Sequence, residues 1–293
     1  MRLDQFPWPK TPTDQVSPLW TGSTFILQGI PTRVISYNVE SSNWSESLTS
    51  MHEDFGGSSH PIERMSRDWA LKSVRRLNAD SIVIDVGCSS GFFVDDLRKT
   101  FPKVQIIAAD YLIGPLKSLA KRTSNLPIIQ FDLRTCPLPD SSIDAVTCLN
   151  VLEHIDEDDK ALSEIFRILK KDGIAHVEVP AGANLYDIYD EHLMHHRRYS
   201  QENLLDIATR AGFKVLYTTH VGFLIYPAFW YVKKRNQRLT SLSDKEKFDK
   251  VSSQINQTHK SKLLKLIFKI EALMSKFIRF PFGIRVIAVL QKP

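Results

Sequence analysis

Cysteine is scarce in this chain: Cys88, Cys136 and Cys148 are the three in 293 residues. They are too few and too irregularly spaced for a disulfide framework or a zinc site, which points to a reducing compartment. Long apolar runs are missing too. The longest, Val221 to Val232, is a dozen residues broken by Pro227, short of the roughly 20 that span a bilayer. The first residues, Met1 to Pro9, lack the basic start and apolar stretch of a secretory leader, so a cytoplasmic location is expected. With 12 glycines and 15 prolines, collagen-like and mucin-like readings fall away. What is present is a hydrophobic content of 43% against 24% charged residues, enough to bury a core.

The net charge of +5 is regional. Residues 233–280 hold 13 Lys/Arg against four Asp/Glu, and the remainder of the chain is acidic. Such a patch suits phosphate, anionic lipid or nucleic acid, and equally a solvated helix face.

Residues 1–59 are polar and rich in Pro and Gly, with a hairpin expected between Thr24–Leu27 and Arg33–Tyr37. They read as an N-terminal arm or lid. Pro61 is placed to start a helix carrying Ile62, Met65, Trp69 and Val74 on one face up to Leu77. From residue 81, strands near 82–86, 104–109, 127–131, 143–149 and 173–179 alternate with helices near 92–100, 113–121 and 158–169. That alternation predicts crossover helices on a parallel sheet. Ser200 caps a further helix that Gly212 ends, strand 213–219 follows, and 283–290 reads as the last strand. Between these two strands lies an insertion. In it Leu263, Leu266, Ile267, Ile270, Leu273, Met274 and Phe277 keep helical spacing while Lys262, Lys265, Lys269 and Lys276 fall outside the stripe. An amphipathic helix docked on the core or on a membrane surface is expected.

The fold class is therefore α/β: a doubly wound, mostly parallel seven-stranded sheet. The organisation predicted is an arm (1–59), a core (60–221), a basic helical insertion (222–282) and a final core strand (283–293).

Chemistry concentrates at Asp85-Val-Gly87-Cys88-Ser89-Ser90-Gly91. A buried strand opens there into a Gly/Ser turn at a helix N-terminus, where backbone can approach a ligand closely. The dinucleotide fingerprint would need glycines at 89 and 92, and the phosphate loop a Gly-Lys-Ser/Thr that is absent, so both phosphate readings weaken. A carboxylate at Asp85 would repel pyrophosphate and welcome an ammonium group, as in the amino-acid half of S-adenosylmethionine. Asp110 and Asp132 end the next two predicted strands. Asp110 stands where an acidic side chain in doubly wound folds accepts from ribose hydroxyls. Each alone could be a strand-end turn residue.

These motifs resemble the class I S-adenosylmethionine-dependent methyltransferases over residues 81–220, with Ser89 where the family's middle glycine is usual. The resemblance implies a cofactor site of Asp85, Gly87, Cys88, Gly91, Asp110, Tyr111, Asp132, Leu133 and Asn150. Tyr111 would pack on adenine, Asp132 and Leu133 would read its amino group, and Asn150 would sit near the transferring methyl. Leu152-Glu153-His154-Ile155 is similar to the family's Leu-Glu-His-Ile signature. The stretch Tyr189 to Ser200 resembles bacterial methyltransferases found with polysaccharide and glycolipid assembly.

Methyl transfer to a hydroxyl is helped by a base near neutral pKa. His195 is the first candidate as base or hydrogen-bond partner of the acceptor, and His154 the second. His192, Arg197, Arg198 and Tyr199 are candidates for binding the acceptor, the arginines through bidentate contacts to carboxylate or phosphate. No metal is expected, since Asp156-Glu-Asp-Asp159 reads as a helix start. The predicted activity is methyl transfer to a hydroxyl or carboxyl of a small molecule, glycan or glycolipid intermediate. Nucleic acid is a poor substrate guess, because the Asn/Asp-Pro-Pro-Tyr/Phe type of motif is absent. The alternatives are a non-catalytic binding module, and a peripheral membrane enzyme acting on a lipid-linked or quinone-like acceptor through 222–280. An NAD-dependent oxidoreductase is disfavoured by the glycine spacing, and nothing in the sequence sets the oligomeric state.

Overall fold

The computed structural model describes residues 2–37, 60–239, Glu246 and 261–293. The arm beyond residue 37 and most of 240–260 in the insertion lie outside the described residues.

Five strands form the parallel centre of one sheet: β5 (Ile82–Val86), β6 (Gln105–Asp110), β7 (Ile128–Gln130), β8 (Ile143–Leu149) and β9 (Leu169–Pro180). β5 pairs with β6 on one side and β8 on the other, so the strand order reverses about β5. This is the switch point at which doubly wound sheets bind ligands, beyond the carboxyl ends of the strands. Alternate residues divide between the two faces. Ile82, Ile84 and Val86 join one core, while Val83 joins the other with Ala108, Ile128 and Ala145. α1 (Pro61–Ser73), α2 (Phe92–Thr100) and α3 (Ile113–Arg122) cover this second face. α4 (Asp158–Ile168) and α6 (Gln201–Arg210) cover the first. Pro61 is indeed the first residue of α1, which ends at Ser73, short of the expected Leu77.

β10 (Lys214–Val221) and β11 (Arg285–Gln291) complete that end of the sheet, with β11 antiparallel to both β9 and β10. The insertion between them is helical as expected, with α7 (Tyr226–Asn236) and α8 (Lys262–Met274). α8 buries Phe268 against Met65 and Trp69 of α1 and Ile287 of β11. No helix among the described residues is long and apolar enough to cross a membrane.

The arm departs from expectation. β1 (Leu19–Trp20), β2 (Phe25–Leu27) and β3 (Ile30–Thr32) form a small sheet whose tight turn is Gln28-Gly29, both at positive φ. The return strand is thus 30–32, and not Arg33–Tyr37, because the chain continues into β4 (Ile35–Ser36). β4 pairs parallel with β7 and makes the main sheet eight-stranded. Leu3, Phe6, Trp8, Trp20 and Phe25 lie in the main core, with Trp8 and Trp20 each under 5 Å from the Phe25 ring, at 4.9 and 4.8 Å. These side chains, with Ile35 and Tyr37, anchor the described part of the arm to the main core. Ile35 is 1% exposed, so Ile35→Ala is expected to cost about 2–5 kcal/mol, measurable as a lowered denaturation midpoint with an unchanged slope.

Candidate functional site

At the end of β5 the backbone takes the left-handed conformation at every second residue: Gly87 (φ 77°), Ser89 (φ 48°) and Gly91 (φ 88°). The sequence needs glycine most at Gly87, where an added Cβ would stand 2.2 Å from Val151 Cγ2 at the end of β8. Ser89 bears the strain of a side chain in this region, of order 1–2 kcal/mol. A charge-assisted bond offsets it, because the Ser89 N–H donates to Asp110 Oδ2 at 2.8 Å. The other carboxylate oxygen of Asp110 accepts from the Leu112 N–H at 2.9 Å. The Gly87 and Cys88 N–H groups both donate to the Ala109 carbonyl at 2.9 Å. Loop 87–91 is thus laid over the end of β6, and α2 begins at its last residue.

Asp85 is 2% exposed and accepts from Thr147 Oγ1 at 2.7 Å. Burial pushes its carboxyl up to about 7, against the Thr147 bond, and nearby Asp110 adds to the rise. It lies under the loop. Tyr111, half-buried, follows Asp110, its carbonyl accepting from Gln130 Nε2. Asp132 differs from its expected disposition: Arg134 Nε reaches both of its oxygens at 3.1 and 3.0 Å, and Nη2 adds a third bond. Its side chain also caps the short turn that starts at the buried Leu133. Asn150, at φ 55°, donates from Nδ2 to Glu178 Oε1 at 3.4 Å. Burial raises all three thiols, which leaves no ready thiolate nucleophile.

The turn after β8 and the loop after β9 meet beside this cradle. The His196 N–H donates to the Glu153 carbonyl at 2.7 Å, and the His154 and His195 rings make an edge contact with centroids 4.7 Å apart. Glu153, His154 and His195 each offer one ligand atom within 4.8 Å of the others, the one such grouping among the described residues that could take a cation. Glu153 is 1% exposed and neither carboxyl oxygen has a hydrogen-bond partner. Burial raises it to about 8, so it is mostly neutral at pH 7.

His195 is 7% exposed, and its Nδ1 lies 2.9 Å from Asp190 Oδ1. Burial lowers the imidazole below its ordinary pKa in spite of that carboxylate. It is therefore neutral at pH 7, with Nδ1 spent on Asp190 and Nε2 left as the basic nitrogen. Asp190 belongs to α5 (Ile188–His192) and is fully buried. Burial alone would raise its carboxyl, but bonds from His195, Arg198 and Lys233 hold it below the usual range. Lys233 Nζ of α7 bridges Asp187 and Asp190 at 2.6 and 2.7 Å.

Arg198 and Tyr199 correct the sequence reading. Arg198 is buried, bonded to Asp190 at 2.8 Å and to the Ala181 carbonyl. Tyr199 is 2% exposed and donates to Asp158 Oδ2 at 2.7 Å. Both are tied into the loop by these bonds, at the floor of a cleft that Arg197, Asn203 and Arg210 also line. Arg197 pairs with Asp158 at 2.9 Å but stays half-exposed, and His192 is half-buried at the end of α5. The sequence reading missed Lys233, Glu178 and Arg285. Arg285 reaches Glu178 at 3.0 Å and also pairs with Glu63. Glu178 and Arg285 were signalled as single charges inside apolar runs, whereas Lys233 opens the run Lys233-Lys234-Arg235, which reads as a solvated patch.

Residues 84–177 match the family described as a methyltransferase domain. A "Probable S-adenosylmethionine-dependent methyltransferase" of Mycolicibacterium smegmatis is 29% identical over 135 residues, 45% of this chain and 52% of that protein. A demethylmenaquinone methyltransferase of Renibacterium salmoninarum is 29% identical over 130 residues, 41% and 54% of the two chains. The chain spans about half the length of the curated relatives it matches. The phosphoethanolamine N-methyltransferase 2 of Haemonchus contortus, solved with S-adenosyl-L-methionine, shares the fold. Its TM-score is 0.60 at 15% identity, covering 88% of this chain and 61% of that one.

The Gly87–Val151 approach gives a direct test. Gly87→Ala is expected to destabilise by about 1–2 kcal/mol from backbone strain alone, with the Val151 contact adding to it. Adding Val151→Ala should recover the contact share and not the strain, read as two separate steps in melting temperature.

Proposed function

We propose that this chain is an S-adenosylmethionine-dependent methyltransferase that methylates a hydroxyl or carboxyl of a small molecule, glycan or glycolipid intermediate. The observation that carries the reading is the loop with left-handed residues at 87, 89 and 91, closed on Asp110 at the switch point of the sheet. The matched methyltransferase domain covers this same loop and both neighbouring strand ends. The residues present fit the cofactor. Gly87 and Gly91 give the loop the left-handed turns by which its backbone would pass close to the methionine portion, with the small Cys88 between them. Asp110, keeping its bonds to Ser89 and Leu112, would offer its remaining lone pairs to the ribose hydroxyls with Tyr111 beside adenine. Leu133 lines the adenine edge, while Asp132 would exchange part of its Arg134 bonding to reach the amino group. An ammonium group over the loop would favour the ionised form of Asp85.

When bound, the cofactor would supply a methyl group activated by its sulfonium, the C–S bond breaking to give the neutral thioether as the C–O bond to the acceptor forms. The chain's own task is to hold the acceptor in line, keep water out and accept the proton. Asp190 fixes His195 in the tautomer with Nε2 free to take that proton, and His154, the more exposed of the two rings, guides the acceptor. Arg197 and His192 bind acidic or hydroxyl groups farther out on the acceptor. The demethylmenaquinone methyltransferase relatives favour a second reading, in which the acceptor is a quinone-like hydroxyl.

The test is transfer of labelled methyl from S-adenosylmethionine into fractionated extract of the source cells, followed by kinetics on the labelled acceptor. His195→Ala is expected to lower kcat by about 10²–10⁴ while cofactor affinity is kept. In the wild type kcat/KM rises with pH through a limb below about 6.5, because the protonated ring cannot act as a base, and then levels off. His195→Gln should remove that limb. An unchanged kcat in His195→Ala would end the base assignment, and absence of label in every fraction would move the reading to a non-catalytic module.

A further inference from the structure

α8 is held on the protein by one side only. Phe268 is buried against α1 and β11, and the fully buried Glu271 accepts the Gly222 and Leu224 N–H groups at 2.7 and 3.0 Å. These contacts fix the rotation of the helix about its axis. Its expected apolar stripe is consequently split. Ile267 and Met274 turn toward the protein, whereas Leu263, Leu266, Ile270, Leu273 and Phe277 face outward, between 47% and 86% exposed. From Leu263 to Leu273 their spacing of three and four residues makes one continuous ridge, about 15 Å long at the helical rise, which Phe277 continues in the turn after the helix. Lys262, Lys265, Lys269 and Lys276 form a band along the ridge, all exposed. The one acid of the helix, Glu271, is turned inward. Beyond the helix the insertion also exposes Trp230, at 45%, on a cleft with Tyr226, Tyr231 and Phe282.

A solvated helix puts charge outward and apolar groups inward, and α8 does not. Aliphatic side chains beside a lysine band are the arrangement of a helix lying in a membrane interface, where the ridge enters the acyl boundary and the lysines meet anionic headgroups. We infer that the outward ridge of α8 docks this protein on an anionic phospholipid bilayer. Charge complementarity selects this occupant: the four exposed lysines of the band match a negative surface, and the one acid of the helix, Glu271, is buried on its opposite side. The contact is reversible and peripheral, because the ridge enters one leaflet only. The inference is independent of the methyl-transfer reading, since it rests on residues outside the cofactor loop and the histidine pair.

The experiment is co-sedimentation of the full chain with sucrose-loaded vesicles of phosphatidylcholine alone or with 30 mol% phosphatidylglycerol, about a third anionic lipid as in strongly charged membranes. The wild type should bind the anionic vesicles at least about tenfold more tightly than the neutral ones, and lose most of that preference in 0.5 M salt, well beyond the ~0.15 M at which screening is already strong. Lys262→Glu/Lys265→Glu/Lys269→Glu should weaken anionic binding by about a hundredfold or more. Leu263→Gln/Leu266→Gln/Ile270→Gln should abolish binding while circular dichroism and melting temperature stay at wild-type values, because all three side chains are exposed. Wild-type protein that stays in the supernatant with anionic vesicles overturns the inference. So does binding that survives the glutamine variant, or a concentration-dependent dimer that this variant dissolves without any vesicle binding.

Discussion

The Asp110 carboxylate ties the turn after β5 to the turn after β6, beyond the point where the two strands pair and where the Gly87 and Cys88 N–H groups meet the Ala109 carbonyl. One oxygen takes the N–H of a serine in the left-handed region, the other the N–H that leads into α3. Without an anion at that point, Ser89 would have little reason to stay at a φ that glycine adopts freely. The loop would lose the geometry that brings Gly87 against Val151. The turn after β8 is held separately, by the Asn150 N–H on the Glu178 carbonyl and the His196 N–H on the Glu153 carbonyl, so Asp110 shapes the proposed cofactor loop while these bonds place the residues proposed to handle the acceptor's proton.

The acceptor side is organised by a second buried anion. Asp190 gathers an imidazole and a guanidinium from the loop that follows it and an ammonium from α7. Buried charges of this kind cost desolvation, and removing one partner strands the others. The arrangement therefore specifies geometry more than it adds stability: it holds α7 of the insertion, the loop after β9 and the His195 ring in one relation. Glu153 beside them is buried, with neither carboxyl oxygen hydrogen-bonded, and burial raises it to about 8.

Much of this was legible in the sequence. Apolar runs marked the parallel strands, Pro61 and Ser200 marked helix starts, and Asp85, Asp110 and Asp132, at the ends of three successive strands, pointed to the carboxyl end of the sheet, where the cofactor site is proposed. Less legible was everything set by tertiary partners. Ile35 and Ser36 carry no signal that distinguishes a hairpin strand from an eighth strand, because both are short extended runs. Arg198 and Tyr199 look like ligand-binding residues in a loop of charges, and only the buried Asp190 and Asp158 beside them make them struts. The stripe of α8 has the right period for docking on the core, but period alone cannot say which part of a wide stripe is covered. Glu271 decides that, through backbone groups about 50 residues away in sequence.

The central claim is that loop 87–91, held by Asp110, is built for S-adenosylmethionine. Calorimetric titration of S-adenosylmethionine into the wild type and Asp110→Ala, with melting temperature followed alongside, tests it most directly. The account predicts saturable wild-type binding that weakens by about tenfold or more when the charge-assisted contacts are lost, in a protein that still folds. Equal affinity in the two proteins, or no binding by the wild type at millimolar cofactor, would contradict it.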